Sequence, residues 1–370
     1  MKLHLQRDSL MSAVAWAART LPGRPTQPIL AGLRLATTEG FVSLSSFDRE
    51  VSSVAELATD AVAEQVVILP GRLLADIVKA LPHDDVLLEW EGTRATIRSG
   101  KVSFSLPTLP AEEYPPLPAD PQPIGVIPGA DLARCVTQVA IASGKDESLV
   151  MLTGIRVEID GPTMTMAATD RYRLAVQEVA WRCDDDTRQT NLLIPARTLV
   201  DVSRSMGQAG DVTIGLAGDA GAERLIGFSA QGRRSTSRLL DAEFPKYRSL
   251  LPTESTTEAT MATTAVLEAV RRVSIVAERT TPVRCSFAGG ELSMRAGSGD
   301  DATAEESVEI SLAGDPIEIA FNPGFLIDGL AALGTAEVTM AFTEPRKPMV
   351  MTSEQAGAYR YLLMPIRLTG

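Results

Sequence analysis

Across its 370 residues the sequence is poor in the side chains that most often carry chemistry, with two histidines, three cysteines and 5% aromatic residues. His4 falls in an expected first strand and His83 in a polar turn after a helix. Neither has Cys, Asp or Glu partners at a metal-ligand spacing, so both read as structural. Cys135, Cys183 and Cys285 are scattered and odd in number, which fits neither a zinc knuckle nor a secreted disulfide framework. Buried free thiols are expected. No Gly-rich phosphate loop opens a helix, no Gly-x-Ser-x-Gly elbow is present, and Asp84-Asp85 and Asp184-Asp185-Asp186 read as solvated turns. No catalytic residue, metal site or cofactor is therefore assigned, and a protein that is not an enzyme is expected.

Long apolar runs are also missing. No stretch of 18 uninterrupted apolar residues occurs, and Met1-Lys2-Leu3-His4-Leu5-Gln6-Arg7-Asp8 lacks the basic-then-apolar order of a signal peptide. A cytoplasmic protein with no membrane partner is expected. A formal charge of −12 excludes a surface that coats nucleic acid throughout, yet leaves room for one local basic face. With 45% apolar residues the chain can bury a large interior, and its length predicts two or three domains.

What the sequence does contain is a threefold repeat. Each repeat opens on a strand followed by a helix with one apolar stripe, at Asp8–Leu21, Asp131–Ala142 and Thr263–Ala277. Each later enters a second helix from a strand through proline, at Pro70, Pro195 and Pro323, and Asn322 is a good N-cap for the last of these. Short strands with polar turns follow, such as Val86–Trp90, Thr93–Arg98 and Val102–Leu106 in the first repeat. Matching polar corners stand at Ser46-Phe47-Asp48-Arg49 and Thr169-Asp170-Arg171; the third, at Ala296–Asp301, is degenerate. In the middle repeat, Met166–Val176 reads as two strands joined at that corner, which sets Thr169 beside Leu174. The proline-rich stretch Pro107–Pro128 and the Pro/Thr/Ser/Glu stretch Leu251–Thr257 supply linkers. The expected architecture is α+β: three similar domains, 1–122, 123–251 and 252–370, each of antiparallel strands with two helices.

Several cations fall on or beside the expected helices: Arg24, Arg72, Lys79, Arg134, Arg197, Arg204, Arg271, Arg272 and Arg279. If the helices of all repeats share one side, these form a face that attracts phosphate without reading bases. Taken alone, they also fit ordinary solvated helix surfaces.

Three similar domains, the corner Thr169-Asp170-Arg171-Tyr172-Arg173-Leu174-Ala175, Phe244-Pro245-Lys246-Tyr247 and the terminal Met364-Pro365-Ile366-Arg367-Leu368 together resemble the bacterial sliding clamp, the β subunit of the replicative DNA polymerase. Leu152–Glu158 and Arg234–Pro245 are similar to the actinobacterial type. The resemblance covers the whole chain. It implies a head-to-tail homodimer, a six-domain ring around duplex DNA that catalyses nothing and tethers polymerase and clamp-loader subunits through short peptides. It further implies DNA contacts at Arg24, Arg72 and Arg197, and a dimer interface of Phe104 and Leu106 with Ile275 and Val276. The partner-peptide pocket it implies comprises Leu152, Thr169, Arg171, Tyr172, Arg173, Leu174, Pro245, Leu250, Pro348, Met364, Pro365 and Arg367. Where better-known clamps carry a Gln and a Tyr pair on a DNA-facing loop, this chain has Asp146, Val150 and Met151, so weaker contact is expected there. Two readings follow: a clamp loaded on DNA, either a housekeeping copy or a second, specialised or inhibitor-resistant one, and a clamp-like scaffold that binds peptides without loading.

Overall fold

The computed structural model describes residues 1–218, 224–277, 281–297 and 302–367. Most of the third-repeat corner, together with Arg279 and Leu368, lies outside the described residues. The chain packs into two compact units, one of residues 1–129 with 208–239, the other of residues 130–207 with the chain from 240 onward.

Six α-helices occupy the repeated positions among the described residues: α1 Arg7–Ala17, α2 Gly71–Ala80, α3 Gly129–Ala140, α4 Ala196–Met206, α5 Thr263–Val273 and α6 Pro323–Leu333. The longer first and fifth helices expected from periodicity are instead α-helices prolonged by 3-10 turns, Ala18–Thr20 and Ser274–Val276. Proline enters the second helices in two ways. Pro70 and Pro195 sit just outside α2 and α4 as N-cap residues, whereas Pro323 is helical, and there the Asn322 side-chain oxygen accepts the Phe325 N–H at 3.2 Å.

In the first unit, a small antiparallel sheet runs in the order Lys2–Gln6, Asp85–Glu91, Arg94–Ser99, Val102–Pro107, leaving the last strand at an edge. Lys2–Gln6 buries every second residue, and Leu3 and Leu5 supply core. A longer antiparallel sheet holds Gln122–Pro128, Asp211–Ala217, Leu225–Ala230, Arg233–Arg238, Val51–Ala58, Phe41–Phe47, Gly32–Thr38 and Gln65–Pro70 as successive neighbours. The proline-rich stretch is laid flat on this sheet at two glycines. A Cβ on Gly227 would stand 2.8 Å from the Pro121 ring, and one on Gly215 would stand 2.8 Å from the Pro121 carbonyl oxygen.

In the second unit the middle and last repeats share one sheet. Its order is Gln189–Pro195, Gly154–Asp160, Thr163–Thr169, Arg173–Ala180, Arg360–Leu363, Met349–Thr352, Glu337–Phe342, Thr257–Ala262, Ser311–Gly314. Arg173–Val176 pairs with Arg360–Leu363, so the corner of the middle repeat is joined to the chain's last described strand. Thr169 lies opposite Leu174, as the corner predicts. The strand Thr163–Thr169 is buried on both faces beyond its first residue rather than alternating, so both faces of the sheet are covered there. A smaller sheet runs Ala304–Glu309, Glu291–Ala296, Val283–Ala288, Ile317–Phe321.

Candidate functional site

The corner that ends Thr163–Thr169 is a hydrogen-bonded turn built by one aspartate. Asp170 Oδ1 accepts the N–H groups of Tyr172 and Arg173, both at 3.1 Å, while the Thr169 hydroxyl donates to the Arg173 carbonyl at 2.7 Å. Closing it puts Arg171 at φ 81°, a conformation in which a side chain with a Cβ is strained by about 1–2 kcal/mol.

Arg173 turns inward from this corner. Its Nε donates to Asp170 Oδ2 at 2.9 Å, its Nη1 to Asp328 Oδ2 on α6 at 2.6 Å, and its guanidinium carbon sits 4.3 Å from the centre of the Phe325 ring. Burial opposes that charge, but the hydrogen bond to Asp328 and the contact with Asp170 outweigh it and raise the Arg173 pKa above its ordinary value. Tyr172 turns outward and stacks on Phe325, ring centres 6.1 Å apart and planes at 26°. The Tyr361 hydroxyl donates to the Phe325 carbonyl at 2.8 Å, and the Met364 N–H donates to the Tyr172 carbonyl at 2.9 Å. Helix α6, the corner and the chain after Leu363 are thus held as one body.

Apolar side chains stay exposed on this unit. Tyr172, Leu250 and Met364 are 55%, 51% and 40% exposed, unusual values for large apolar side chains; Pro245, shortly before Leu250, is exposed too, and Pro348 and Pro365 are half-buried. Beneath lies a cluster of Ala167, Leu174, Val176, Leu193, Phe244, Tyr247, Val350 and Leu362. Leu250 is presented by the 3-10 turn Tyr247–Leu250, which Glu158 latches: its carboxylate accepts from Arg248 at 2.6 Å and from the Tyr247 hydroxyl at 3.1 Å. Partial burial works against the Glu158 charge, yet those two hydrogen bonds hold the carboxyl below its ordinary value.

Two of the expected pocket residues are buried or already paired. Leu174, at 1% exposure, is buried in that cluster with Phe244, Tyr247 and Leu362 and presents no surface of its own. Arg173 is spent on two carboxylates, which leaves Arg171 and Arg367 as the exposed cations among the expected pocket residues. Thr169 and Leu152 are buried too, Thr169 in the corner and Leu152 just before Gly154–Asp160.

The expected basic residues also divide. Arg134 pairs with Asp131, Arg271 with Glu268 and Arg272 with Glu306, while Arg24, Arg72 and Arg197 are exposed and make no ion pair among the described residues. Arg72 donates to the Pro22 carbonyl at 3.3 Å, which brings it beside the segment carrying Arg24. No group of three or more His, Cys, Asp or Glu side chains that could hold a metal occurs among the described residues, and no described helix is long and apolar enough to cross a membrane.

Models for the N-terminal, central and C-terminal domains of the DNA polymerase III beta subunit match residues 1–118, 126–246 and 248–367. The beta sliding clamp of Streptomyces coelicolor is 48% identical over 376 residues, covering 100% of both chains. This chain belongs to the bacterial beta sliding clamp family. Another member, the beta sliding clamp homolog GriR of Streptomyces muensis, is 38% identical and covers 99% of each chain. Among solved clamps, the Pseudomonas aeruginosa beta subunit superposes at a TM-score of 0.93 with 26% identity and covers 100% of each chain. A griselimycin-bound Pseudomonas aeruginosa clamp superposes at 0.93 with 25% identity, again covering 100% of each chain. The threefold repeat is the three-domain architecture of the clamp family.

Of the four expected interface residues in this clamp, Ile275 is 81% exposed, Phe104 and Val276 are half-buried, and Leu106 is fully buried within its own unit. Leu106 therefore supports the edge strand from behind. Sequence reading missed Phe325, Asp328 and Glu158. A signal existed for Phe325, which stands three residues after the N-cap Asn322 and so had to lie in the first turn of α6; nothing in the sequence pairs Asp328 with Arg173, which are 155 residues apart.

Proposed function

We propose that this clamp closes as a head-to-tail homodimer around duplex DNA and holds polymerase and clamp-loader subunits through short extended peptides seated at Tyr172, Leu250 and Met364. Those side chains carry the reading: three large apolar groups stay in water above a buried cluster, at a place latched by Glu158 and by α6. A peptide bringing two Leu- or Phe-sized residues gains roughly 3–6 kcal/mol from their burial, and ordering it subtracts, so an isolated peptide binds with a dissociation constant on the order of micromolar. Calorimetry with a peptide ending in two large apolar residues tests this, and no binding at tens of micromolar would refute it.

Closure is supported by two edges. Val102–Pro107 is an edge strand with exposed Val102 and half-buried Phe104, flanked by Arg94 and Lys101; Ala304–Glu309 is an edge strand ending in Glu309, with Glu305 and Glu306 paired to Arg295 and Arg272. An unpaired edge of one charge suits an edge of the other in a second copy. Sedimentation of the Ile275→Arg, Phe104→Arg double variant is expected to give monomer; a dimer at micromolar concentration would place the interface elsewhere. Cytoplasmic DNA is the polyanion that Arg24, Arg72 and Arg197 face in this reading. Each alanine substitution there flattens the slope of log affinity against log salt by about 0.9, equally for all sequences. The loaded clamp stays on a nicked circle and leaves it after linearisation. A peptide-binding scaffold that is never loaded would show no such difference.

A further inference from the structure

We propose that the sheet corner of the first repeat at Phe41, Val62 and Val66 is a second docking surface, and that its occupant is a partner segment carrying large apolar side chains among Lys or Arg. It belongs to the first unit, whereas Tyr172, Leu250 and Met364 belong to the other.

Strand register builds the surface. Phe41 stands opposite Thr38, and Val66 opposite Ala36, which itself faces Ser43. Because residues two apart on a strand share a face, Phe41, Thr38, Ala36, Ser43 and Val66 lie on one side of the sheet. The loop after Val51–Ala58 is tied to the same corner, for the Gly40 N–H donates to the Ala61 carbonyl at 3.0 Å and the Thr37 hydroxyl to the Ala63 carbonyl at 2.7 Å. Val62 stands between those two anchors. Phe41, Val62 and Val66 are 53%, 87% and 43% exposed, so three large apolar side chains meet water at one corner.

The other repeats supply an internal control. The positions of Phe41 and Val66 are held by Thr163 and Asn191 in the middle repeat, opposite Asp160 and Glu158, and by Glu291 and Glu318 in the last, opposite Ala288 and Ser286. All four are exposed and polar. The fold therefore requires nothing apolar at these positions, and the first repeat alone sets a phenylalanine and a valine there.

Charge indicates the occupant. Glu39, Asp60 and Glu64 adjoin the three apolar residues in sequence, are exposed, and form no ion pair among the described residues. The His4 backbone N–H donates to Asp60 Oδ1 at 3.0 Å and holds that carboxyl below its ordinary value. Arg34 shares the face, two residues from Ala36, but is half-buried. An apolar surface bordered by free carboxylates attracts a cationic apolar segment and repels an acidic one, an anionic membrane or its own copy.

The test uses the full-length protein and two labelled amphipathic peptides of one design, with Leu on one helical face and either Lys or Glu on the other, followed by fluorescence anisotropy at low and high salt. Wild type is expected to bind the Lys peptide and not the Glu peptide, and to bind it several-fold more weakly at high salt. The Phe41→Thr, Val66→Asn double variant copies the middle repeat and should bind the Lys peptide at least roughly tenfold more weakly, with melting temperature unchanged. Glu39→Gln with Glu64→Gln should weaken binding roughly two- to fivefold, at low salt alone. An excess of an unlabelled peptide that ends in two large apolar residues should not displace the Lys peptide, which separates this surface from the one at Tyr172. Failure of wild type to bind the Lys peptide, equal binding of both peptides, undiminished binding by the double variant, or displacement by that competitor would overturn the proposal. Concentration-dependent self-association of wild type that the double variant loses would overturn it too, because the corner would then meet a second copy of this chain.

Discussion

The corner at Asp48 and the corner at Asp170 use the same backbone device in different surroundings. In each, one carboxylate oxygen accepts two successive N–H groups: Glu50 and Val51 at 2.9 and 2.7 Å in the first, Tyr172 and Arg173 at 3.1 Å in the second. Each sets an arginine at φ 81°. They diverge in the two residues that follow, Glu50-Val51 against Tyr172-Arg173. Glutamate leaves the first corner solvated. Tyrosine and arginine in the second build an aromatic wall on Phe325 and an ion-paired brace to α6. A duplicated turn thus becomes a docking site through two side chains and a neighbouring helix, without any change in backbone design.

The largest effect should come from converting the second corner toward the first. Tyr172→Glu removes the stacked wall and sets a carboxylate at its place, so a peptide ending in two apolar residues is expected to bind at least roughly tenfold more weakly, with circular dichroism and dimerisation unchanged. Unaltered affinity by calorimetry would mean that the wall is not part of the site. Next in size is the brace. Asp328→Asn keeps the shape of the side chain but leaves the buried Arg173 with Asp170 as its one carboxylate partner among the described residues. Asp328 is itself half exposed, so a loss of about 1–2 kcal/mol in the stability of that unit is expected, read from denaturant unfolding, with the first unit unaffected.

The repeat, the two helices of each domain and the proline entries were legible in the sequence because they rest on local spacing, and the whole-chain resemblance fixed the order of the pieces. The turn chemistry of Thr169-Asp170-Arg171 was legible for the same reason. Exposure was not. Leu174 and Leu106 look as available as Leu250 in a sequence, and only sheet order shows that Leu174 belongs to a central strand and that Leu106 faces its own core. Charge pairing was equally hidden: the α6 partner of Arg173 and the partner of Arg272 lie 155 and 34 residues away. Cations expected to form one basic face therefore divide into paired and unpaired sets only once the fold is known.

A third test exploits pH at the turn that presents Leu250, for which the first corner has no matching latch. There, the Tyr114 hydroxyl accepts the Phe47 N–H at 3.0 Å, and burial pushes its pKa up to about 12 with no carboxylate among the described residues hydrogen-bonded to it. In the second unit Glu158 takes that partner's role, and its folded pKa lies below the ordinary 4.5. A lowered carboxylate pKa stabilises the fold above the unfolded value, and the contribution fades as pH falls through the folded one. Peptide affinity and unit stability should therefore fall together below about pH 4.5 in wild type. Glu158→Gln should flatten both profiles there while weakening peptide binding only about two- to threefold at neutral pH, since the turn keeps its apolar anchor at Tyr247. An unchanged acid limb in that variant would assign the pH dependence to other carboxylates.

The smallest effect sharpens the comparison at the arginines themselves. Asp146 stands near Arg171, whereas Arg49 has the neutral Gln27 as its partner. Hydrogen bonds from Ser148 hold the Asp146 carboxyl below its ordinary value, with the Arg171 charge acting in the same direction, so it is ionised at neutral pH and partly screens the cation. Asp146→Asn removes that screen and keeps an oxygen for Ser148. The variant is expected to bind a peptide with Asp before its two apolar residues up to about twofold more tightly at low salt, with the affinity for an Asn counterpart and the high-salt affinities unmoved. The effect must vanish in the Arg171→Gly background, because it acts through the Arg171 charge; an equal gain in both backgrounds would show that Asp146 repels the peptide directly and that the two arginines differ less than their surroundings imply.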